Sequence, residues 1–218
     1  MGDARVARVP VQECGDPLVD ARGAAGLTVA EHGDPGSRAY PFLRGMVVER
    51  LQAAQASLPD GLRLLLLEGY RPFELQRFYF DRHRRRLMKS DPGLSEEAAY
   101  LSASQFVSPP EVAPHVSGAA IDLTLVGPDD VPLDMGTPVD ATPEESEGAC
   151  YFAAENISAE ARHHRGVLAH ALEGAGLVNY PTEWWHWSFG DRYWALSHGK
   201  PHAVFGPVRA PAGVPTQP

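Results

Sequence analysis

The segment P-H-V-S-G-A-A-I-D-L-T-L runs from Pro114 to Leu125 and places a carboxylate inside an apolar run, seven residues after a histidine. Asp122 lies between an isoleucine and a leucine, so a β-strand through this run buries its carboxylate. A buried carboxylate requires a partner that offsets its lost hydration, and a metal ion is one such partner. The segment therefore predicts a strand over Ala119–Val126 and a metal site that includes His115 and Asp122.

A second pair of candidate residues lies in E-W-W-H-W, from Glu183 to Trp187. Two histidines and one aspartate make a three-ligand zinc set that leaves a coordination position open, as catalytic sites require. Residues three apart on a strand point to opposite faces, so Glu183 and His186 serve one site only where Glu183 precedes the regular strand. Pro181 indicates such an irregular start. Taken singly, these motifs also fit an ordinary loop histidine and an aromatic core strand; their joint occurrence favours the metal site.

A third motif, G-Y-R-P from Gly69 to Pro72, follows a continuous apolar run. An arginine held by a following proline at the end of a strand is well placed to point into a cleft. Arg71 there could stabilise a developing oxyanion or hold a carboxylate in a two-pronged contact. The alternative is a surface arginine in a turn.

Composition bounds the class of protein. The chain has 218 residues, 44% apolar and 22% charged, which is typical of a soluble globular protein. A formal net charge of −9 argues against nucleic acid or an anionic membrane as the main partner. The start of the chain lacks the apolar core of a signal peptide, and Cys14 and Cys150 match no disulfide framework or CxxC site. These features predict a cytoplasmic protein.

Apolar periodicity, capping residues and turn signals predict an α+β fold, with helices that flank a small, mainly antiparallel sheet. We expect one domain over residues 1–205 and a disordered, proline-rich tail over residues 206–218. The predicted strands are Leu27–Ala30, Leu62–Glu68, Ala119–Val126 and Trp184–Phe189. The predicted helices are Tyr40–Leu58, Phe73–Lys89, Leu94–Gln105 and Ser158–Ala175, and a long loop covers residues 127–156. The arginine cluster at residues 82–86 is expected on a solvated helical turn.

The motifs G-Y-R-P, H-x-x-G-x-A-x-D and E-W-W-H, in this order, resemble those of the VanX-type D-alanyl-D-alanine dipeptidases, zinc peptidases of the hedgehog/DD-peptidase fold. The resemblance covers about Leu62 to Phe189. It implies one Zn²⁺ per chain, a dipeptide substrate, Glu183 as the catalytic base and Arg71 as the group that stabilises the transition state. The zinc ligands that it implies are His115, Asp122 and His186.

A further match, M-G-T-P-V-D, implies that Asp140 holds the free amino group of the substrate. Family members usually carry a serine that helps to bind the substrate carboxylate two residues before the first ligand, and this chain has Ala113 there. The expected function is zinc-dependent hydrolysis of a small D,D-dipeptide, and the expected substrate is D-alanyl-D-alanine, the cell-wall precursor dipeptide. The alternatives are a DD-carboxypeptidase for longer cell-wall peptides and a non-catalytic, metal-stabilised binding domain. A homodimer is left open.

Overall fold

The computed structural model describes residues 3–31 and 38–214 and shows an α+β fold with two sheets. In chain order the strands are β1 (Leu18–Asp20), β2 (Thr28–Val29), β3 (Phe42–Arg44), β4 (Arg63–Glu68), β5 (Ala120–Val126), β6 (Val178–Asn179) and β7 (His186–Ser188). The main sheet has the order β2–β4–β5–β7–β6, and β1 pairs with β3. Only β2 and β4 pair in parallel among these strands, which confirms the predicted small, mainly antiparallel sheet.

The predicted helices appear in the predicted order, with three differences. The helices of the structure are α1 (Ala4–Arg8), α2 (Gly45–Ser57), α3 (Phe73–Ser90), α4 (Glu96–Phe106), α5 (Ala159–Gly174) and α6 (Arg192–Ser197). The prediction started α2 at Tyr40, but Phe42–Arg44 instead pair with Leu18–Asp20 as β3. The prediction also gave no helix or strand before Leu27, where α1 and β1 form, and no helix after Phe189, where α6 forms. Elements of three to six residues are too short to show a periodic pattern.

The core lies on one face of the main sheet. Ile121, Leu123 and Leu125 of β5 are no more than 1% exposed and belong to one apolar cluster with Leu51 of α2 and Leu168 of α5. Because side chains alternate along a strand, this arrangement turns Asp122 to the opposite face. Burial of several large aliphatic side chains stabilises β5 by roughly 1.5–3 kcal/mol each. This strand is therefore a rigid support for Asp122.

Helix α5 begins and ends as predicted and carries an arginine that orders the long loop. The Ser158 hydroxyl accepts a hydrogen bond from the N–H of Ala161, and Gly176 adopts a φ of 84° just after the helix. Residues 127–156 contain no helix or strand, as expected. Arg165 is 1% exposed and donates to the main-chain carbonyls of Met135, Ala149, Tyr151 and Phe152. The loop is therefore attached to α5 through a buried guanidinium.

The residues just after Phe205 make hydrogen bonds to the rest of the fold. Arg44 donates to the carbonyl of Gly206, and the N–H of Val208 donates to the carbonyl of Val116 at 3.1 Å. The carbonyl of Val208 accepts a hydrogen bond from the Tyr70 hydroxyl. Residues 215–218 lie outside the described part. None of the described helices is long and apolar enough to cross a membrane.

Candidate active site

His115 is placed by a short 3₁₀ turn, Pro114–Ser117, which ends where Gly118 adopts a φ of 68°. The residue is 6% exposed. Its Nδ1 lies 2.7 Å from the carbonyl oxygen of Gly69. Because a carbonyl only accepts, Nδ1 carries the proton and Nε2 keeps a free lone pair. This contact fixes the tautomer and the ring orientation, as partners of metal-ligating histidines do.

The register of the sheet brings Asp122 and His186 together, since they are directly paired across β5 and β7. The His186 Nδ1 lies 2.9 Å from Asp122 Oδ1 and 3.2 Å from His115 Nε2, and His115 Nε2 lies 3.4 Å from Asp122 Oδ2. Burial opposes ionisation of Asp122, yet the two adjacent imidazoles hold the pKa of its carboxyl well below the usual range. Burial likewise lowers the pKa of His115, and Asp122 more than offsets that effect and raises it.

These three residues can hold a metal ion. One ligand atom from each of His115, Asp122 and His186 lies within 4.8 Å of the others, and all three residues are buried. Two imidazole nitrogens and a carboxylate oxygen are the donors of three-ligand catalytic zinc sites. The fixed tautomer of His115 directs its lone pair toward the other two ligand atoms. The donor set and its convergence therefore fit a divalent transition metal.

Glu183 stands beside this cluster without belonging to it. It precedes β7, in the irregular position that strand parity requires, and its Oε2 lies 3.8 Å from His186 Nδ1. Burial raises the pKa of Glu183, and the His186 charge opposes that effect. The side-chain amide of Asn179 donates to the carbonyls of Glu183 and His186, both at 3.0 Å. Asn179 thus holds the turn that sets the spacing between the two residues.

Arg71 lies in the cleft and is held by two neighbours. Its Nε donates to Glu68 Oε1 at 2.7 Å, its Nη2 contacts the other carboxylate oxygen of Glu68, and its Nη1 donates to Gln76 Oε1 at 2.8 Å. Burial opposes the charge on the guanidinium, and Glu68 more than compensates for it, so the pKa of Arg71 rises above its ordinary value. Glu68 pairs with Asp122 across β4 and β5. Arg71 is thereby fixed next to the metal-binding cluster.

These residues line one cleft of about 670 Å³ between the main sheet and α3. Asp140 also lines it, at a position where the backbone φ is 62°. Desolvation in the cleft, together with the carboxylates of Asp122 and Glu68, raises the pKa of Asp140 to about 6. The structure therefore brings all six predicted site residues to the same cleft: Arg71, His115, Asp122, Asp140, Glu183 and His186.

Three features in or next to this cleft were not predicted from the sequence. Glu68 was assigned only to a strand, and Asn179 received no role. Arg82 and Arg86 are exposed, as expected of a solvated helical turn, but together with His83 they also line the cleft, which was not predicted. The helical spacing of Tyr79, Arg82 and Arg86 was the available signal. The metal-binding group includes no other histidine from the described residues, and His32 lies outside them.

Comparisons with known proteins identify the family of this chain. The D-Ala-D-Ala dipeptidase family matches residues 29–203. A D-alanyl-D-alanine dipeptidase from Synechocystis sp. is 30% identical over 223 residues, which covers 89% of this chain and 90% of that protein. A second D-alanyl-D-alanine dipeptidase, from Enterococcus faecium, is 30% identical over 154 residues and covers 68% of this chain and 72% of its own length.

Solved structures similar to this one include two peptidases. The vancomycin resistance D,D-pentapeptidase VanY in complex with Zn(II) is 16% identical, with a TM-score of 0.40 over 75% of this chain and 82% of that chain. The LdcB LD-carboxypeptidase is 15% identical, with a TM-score of 0.49 over 87% of this chain and 76% of that chain. On the family match and the two dipeptidase relatives, this chain belongs to the D-Ala-D-Ala dipeptidase family and is a peptidase.

Proposed function

We propose that this chain hydrolyses D-alanyl-D-alanine with one zinc ion, as a single catalytic domain over residues 1–205. The observation that carries the proposal is the half-buried carboxylate of Glu183, 3.8 Å from Nδ1 of a candidate zinc ligand. The names of the two dipeptidase relatives support the substrate. The proposed zinc ligands are His115 through Nε2, His186 through Nδ1 and Asp122 through a carboxylate oxygen.

Glu183 acts as the general base in this proposal. A zinc ion in the site supplies a Lewis acid that activates water and polarises the scissile carbonyl. Glu183 takes the proton from the attacking water and returns it to the leaving amine. Its raised pKa brings the carboxylate closer to the working range of a base at neutral pH. The hydrogen bonds of Asn179 to the carbonyls of Glu183 and His186 fix the distance between the Glu183 carboxylate and the His186 ring.

Arg71 stabilises the charge that develops on the carbonyl oxygen. A guanidinium has five N–H donors, and the contacts with Glu68 and Gln76 use one donor on each of its three nitrogens. The terminal nitrogens each retain one N–H for an oxyanion. A guanidinium fixed in advance needs little reorganisation in the transition state, which is how preorganised donors accelerate a reaction.

Asp140 binds the free amino group of the dipeptide. Its pKa of about 6 reflects burial of the carboxyl group and repulsion from the nearby carboxylates of Asp122, Glu68 and Glu183. A substrate ammonium relieves this repulsion between like charges, and it thereby stabilises the charged form of Asp140. A carboxylate near the scissile bond selects substrates with a free N-terminus, so a dipeptide is favoured over an N-blocked peptide.

Hydrolysis by the purified protein tests this proposal. We would follow release of free amines with ninhydrin for D-Ala-D-Ala, L-Ala-L-Ala and N-acetyl-D-Ala-D-Ala, with and without a chelator. The proposal predicts cleavage of the free D,D-dipeptide alone, loss of that cleavage with chelator and its return with added zinc. Cleavage of D-Ala-D-Ala that persists in chelator contradicts the zinc mechanism. Equal cleavage of the N-acetylated peptide contradicts the role of Asp140.

A further inference from the structure

The cleft extends beyond the metal-binding cluster along helix α3. Tyr79, Arg82, His83 and Arg86 line this part, and their spacing of three or four residues places them on one face of the helix. At about 670 Å³ the cleft is in the size range of sites that enclose drug-sized ligands, and two alanine residues leave much of it unfilled. The additional space is bounded by the side chains of α3.

Arg82 and Arg86 carry positive charges that have no carboxylate partner among the described residues. Arg71 is compensated by Glu68, and Arg84, on another face of α3, lies 3.5 and 3.6 Å from carboxylate oxygens of two residues. Among residues 3–31 and 38–214, no ion pair joins Arg82 or Arg86 to a carboxylate. A positive charge that faces a cleft and has no carboxylate partner in the described part of the chain is available to a ligand of opposite charge.

The position of Arg82 connects this face to the reaction centre. Its guanidinium carbon lies 5.2 Å from the centroid of the Tyr79 ring, and that of Arg71 lies 5.5 Å from the same centroid. Burial and the charge of Arg86 lower the pKa of His83, which lies between the two arginines in sequence. The charged groups of this helix face are therefore the guanidinium groups of Arg82 and Arg86. The Tyr79 ring contacts the guanidinium groups of both Arg82 and Arg71.

The cleft is consequently polarised. Glu183 lies beside the metal-binding cluster and Asp140 lines the same cleft, whereas the positive groups without a carboxylate partner among the described residues lie on α3. A dipeptide with its ammonium at Asp140 directs its carboxyl end away from these negative groups. The chain has Ala113 and Pro114 just before the first ligand, and both line the cleft without a side-chain donor. A donor for the carboxyl end must come from elsewhere in the cleft.

We propose that Arg82 and Arg86 form an anion subsite that binds a carboxylate of the residue on the leaving side of the scissile bond. The carboxylate is either the C-terminal group of that residue or an acidic side chain on it. This inference rests on the proposed function, and it names the part of the substrate that the reaction mechanism leaves unassigned.

Binding to a variant that cannot turn over tests the subsite directly. Glu183→Gln serves as the background, and calorimetry compares D-Ala-D-Ala with D-Ala-D-alaninamide, and D-Ala-D-Glu with D-Ala-D-Gln. The first pair differs in the C-terminal charge and the second in a side-chain charge. We expect the charged member of at least one pair to bind about tenfold more tightly than its amide, the size expected of a charge-assisted contact. The pair that shows the difference identifies the source of the carboxylate.

Substitutions in α3 test whether Arg82 and Arg86 cause the tighter binding of the charged ligands. Arg82→Gln combined with Arg86→Gln should reduce the charged-to-amide ratio to near one, and the corresponding pair of lysine substitutions should retain most of it. Arg85→Gln is the matched control, since Arg85 is an exposed neighbour on the same helix that does not line the cleft, and it should keep the full ratio.

Two results would overturn the subsite. One is equal binding of the charged and amide members in both pairs; the other is an unchanged ratio in the double glutamine variant. Hydrolysis of D-Ala-D-Ala by the unmodified protein distinguishes this failure from failure of the proposed function. If the unmodified protein cleaves D-Ala-D-Ala but the charged and amide ligands bind equally well, the subsite alone is refuted. If it cleaves no dipeptide, both proposals fall.

Discussion

Replacement of Arg165 by methionine tests whether a buried guanidinium holds the loop that carries Asp140. The side chain is 1% exposed and donates to four main-chain carbonyls, three of them at 2.6–2.8 Å. Methionine has a similar length and no donor. Loss of a charge-assisted donor by buried carbonyls costs several kcal/mol, and removal of a buried charge offsets part of that cost, so we expect a net loss of about 3 kcal/mol in the free energy of unfolding.

Urea denaturation of the metal-free protein, followed by tryptophan fluorescence, measures this loss. With an m-value of about 2–3 kcal/mol/M, the midpoint of Arg165→Met should fall by about 1–1.5 M. Arg162→Met is the control, because Arg162 is an exposed residue of the same helix with one hydrogen bond of 3.3 Å, and it should change stability by no more than about 0.5 kcal/mol. A loss below about 1 kcal/mol for Arg165→Met would refute the reasoning.

Three further substitutions test separate parts of the account. Asp140→Asn should raise the KM for D-Ala-D-Ala at least tenfold and leave kcat within about threefold, and steady-state kinetics with an unchanged KM would remove Asp140 from the amine site. Asn179→Ala should lower kcat about tenfold, since the turn before His186 loses the amide that holds it at 3.0 Å; an unaltered kcat would exclude this positioning role. Gly136→Ala should destabilise by about 1–3 kcal/mol in thermal denaturation, because φ is 90° and the new Cβ meets a side-chain carbon at 2.7 Å. The control Gly166→Ala, a helical position with no neighbour within 4 Å, should stabilise by about 0.5–1 kcal/mol.

The elements predicted from sequence are those with strong local signals. Helix α5 has a serine at its start and a glycine after its end, and β5 is an apolar run interrupted only by Asp122 and Thr124. The pairing of β1 with β3 was missed because it joins residues that are distant in sequence and have no local pattern. A hydrogen bond such as Arg44 Nε to the carbonyl of Ser117 at 2.7 Å, which helps to hold this region, exists only in the folded chain.

The residues of the site also fall into those that the sequence predicts and those that it does not. His115, Asp122 and His186 could be proposed from residue type and motif, and the structure brings them together. Glu68 and Asn179 could not, because their importance depends on which neighbours the strand register supplies. A glutamate at the end of an apolar strand and an asparagine before a turn are common features without function. Glu68 and Asn179 reach their partners only when β4 pairs with β5 and β6 pairs with β7.

The most direct test of the account measures metal content and activity on the same preparation of Glu183→Gln. In the proposed mechanism Glu183 transfers protons and the three buried residues beside it hold the zinc ion. Elemental analysis of the variant should therefore find about one zinc per chain, as in the unmodified protein, and kcat for D-Ala-D-Ala should fall at least a hundredfold. Loss of zinc from this variant would show that Glu183 is a ligand, and full activity with zinc retained would show that another group is the base. Either result would contradict the mechanism.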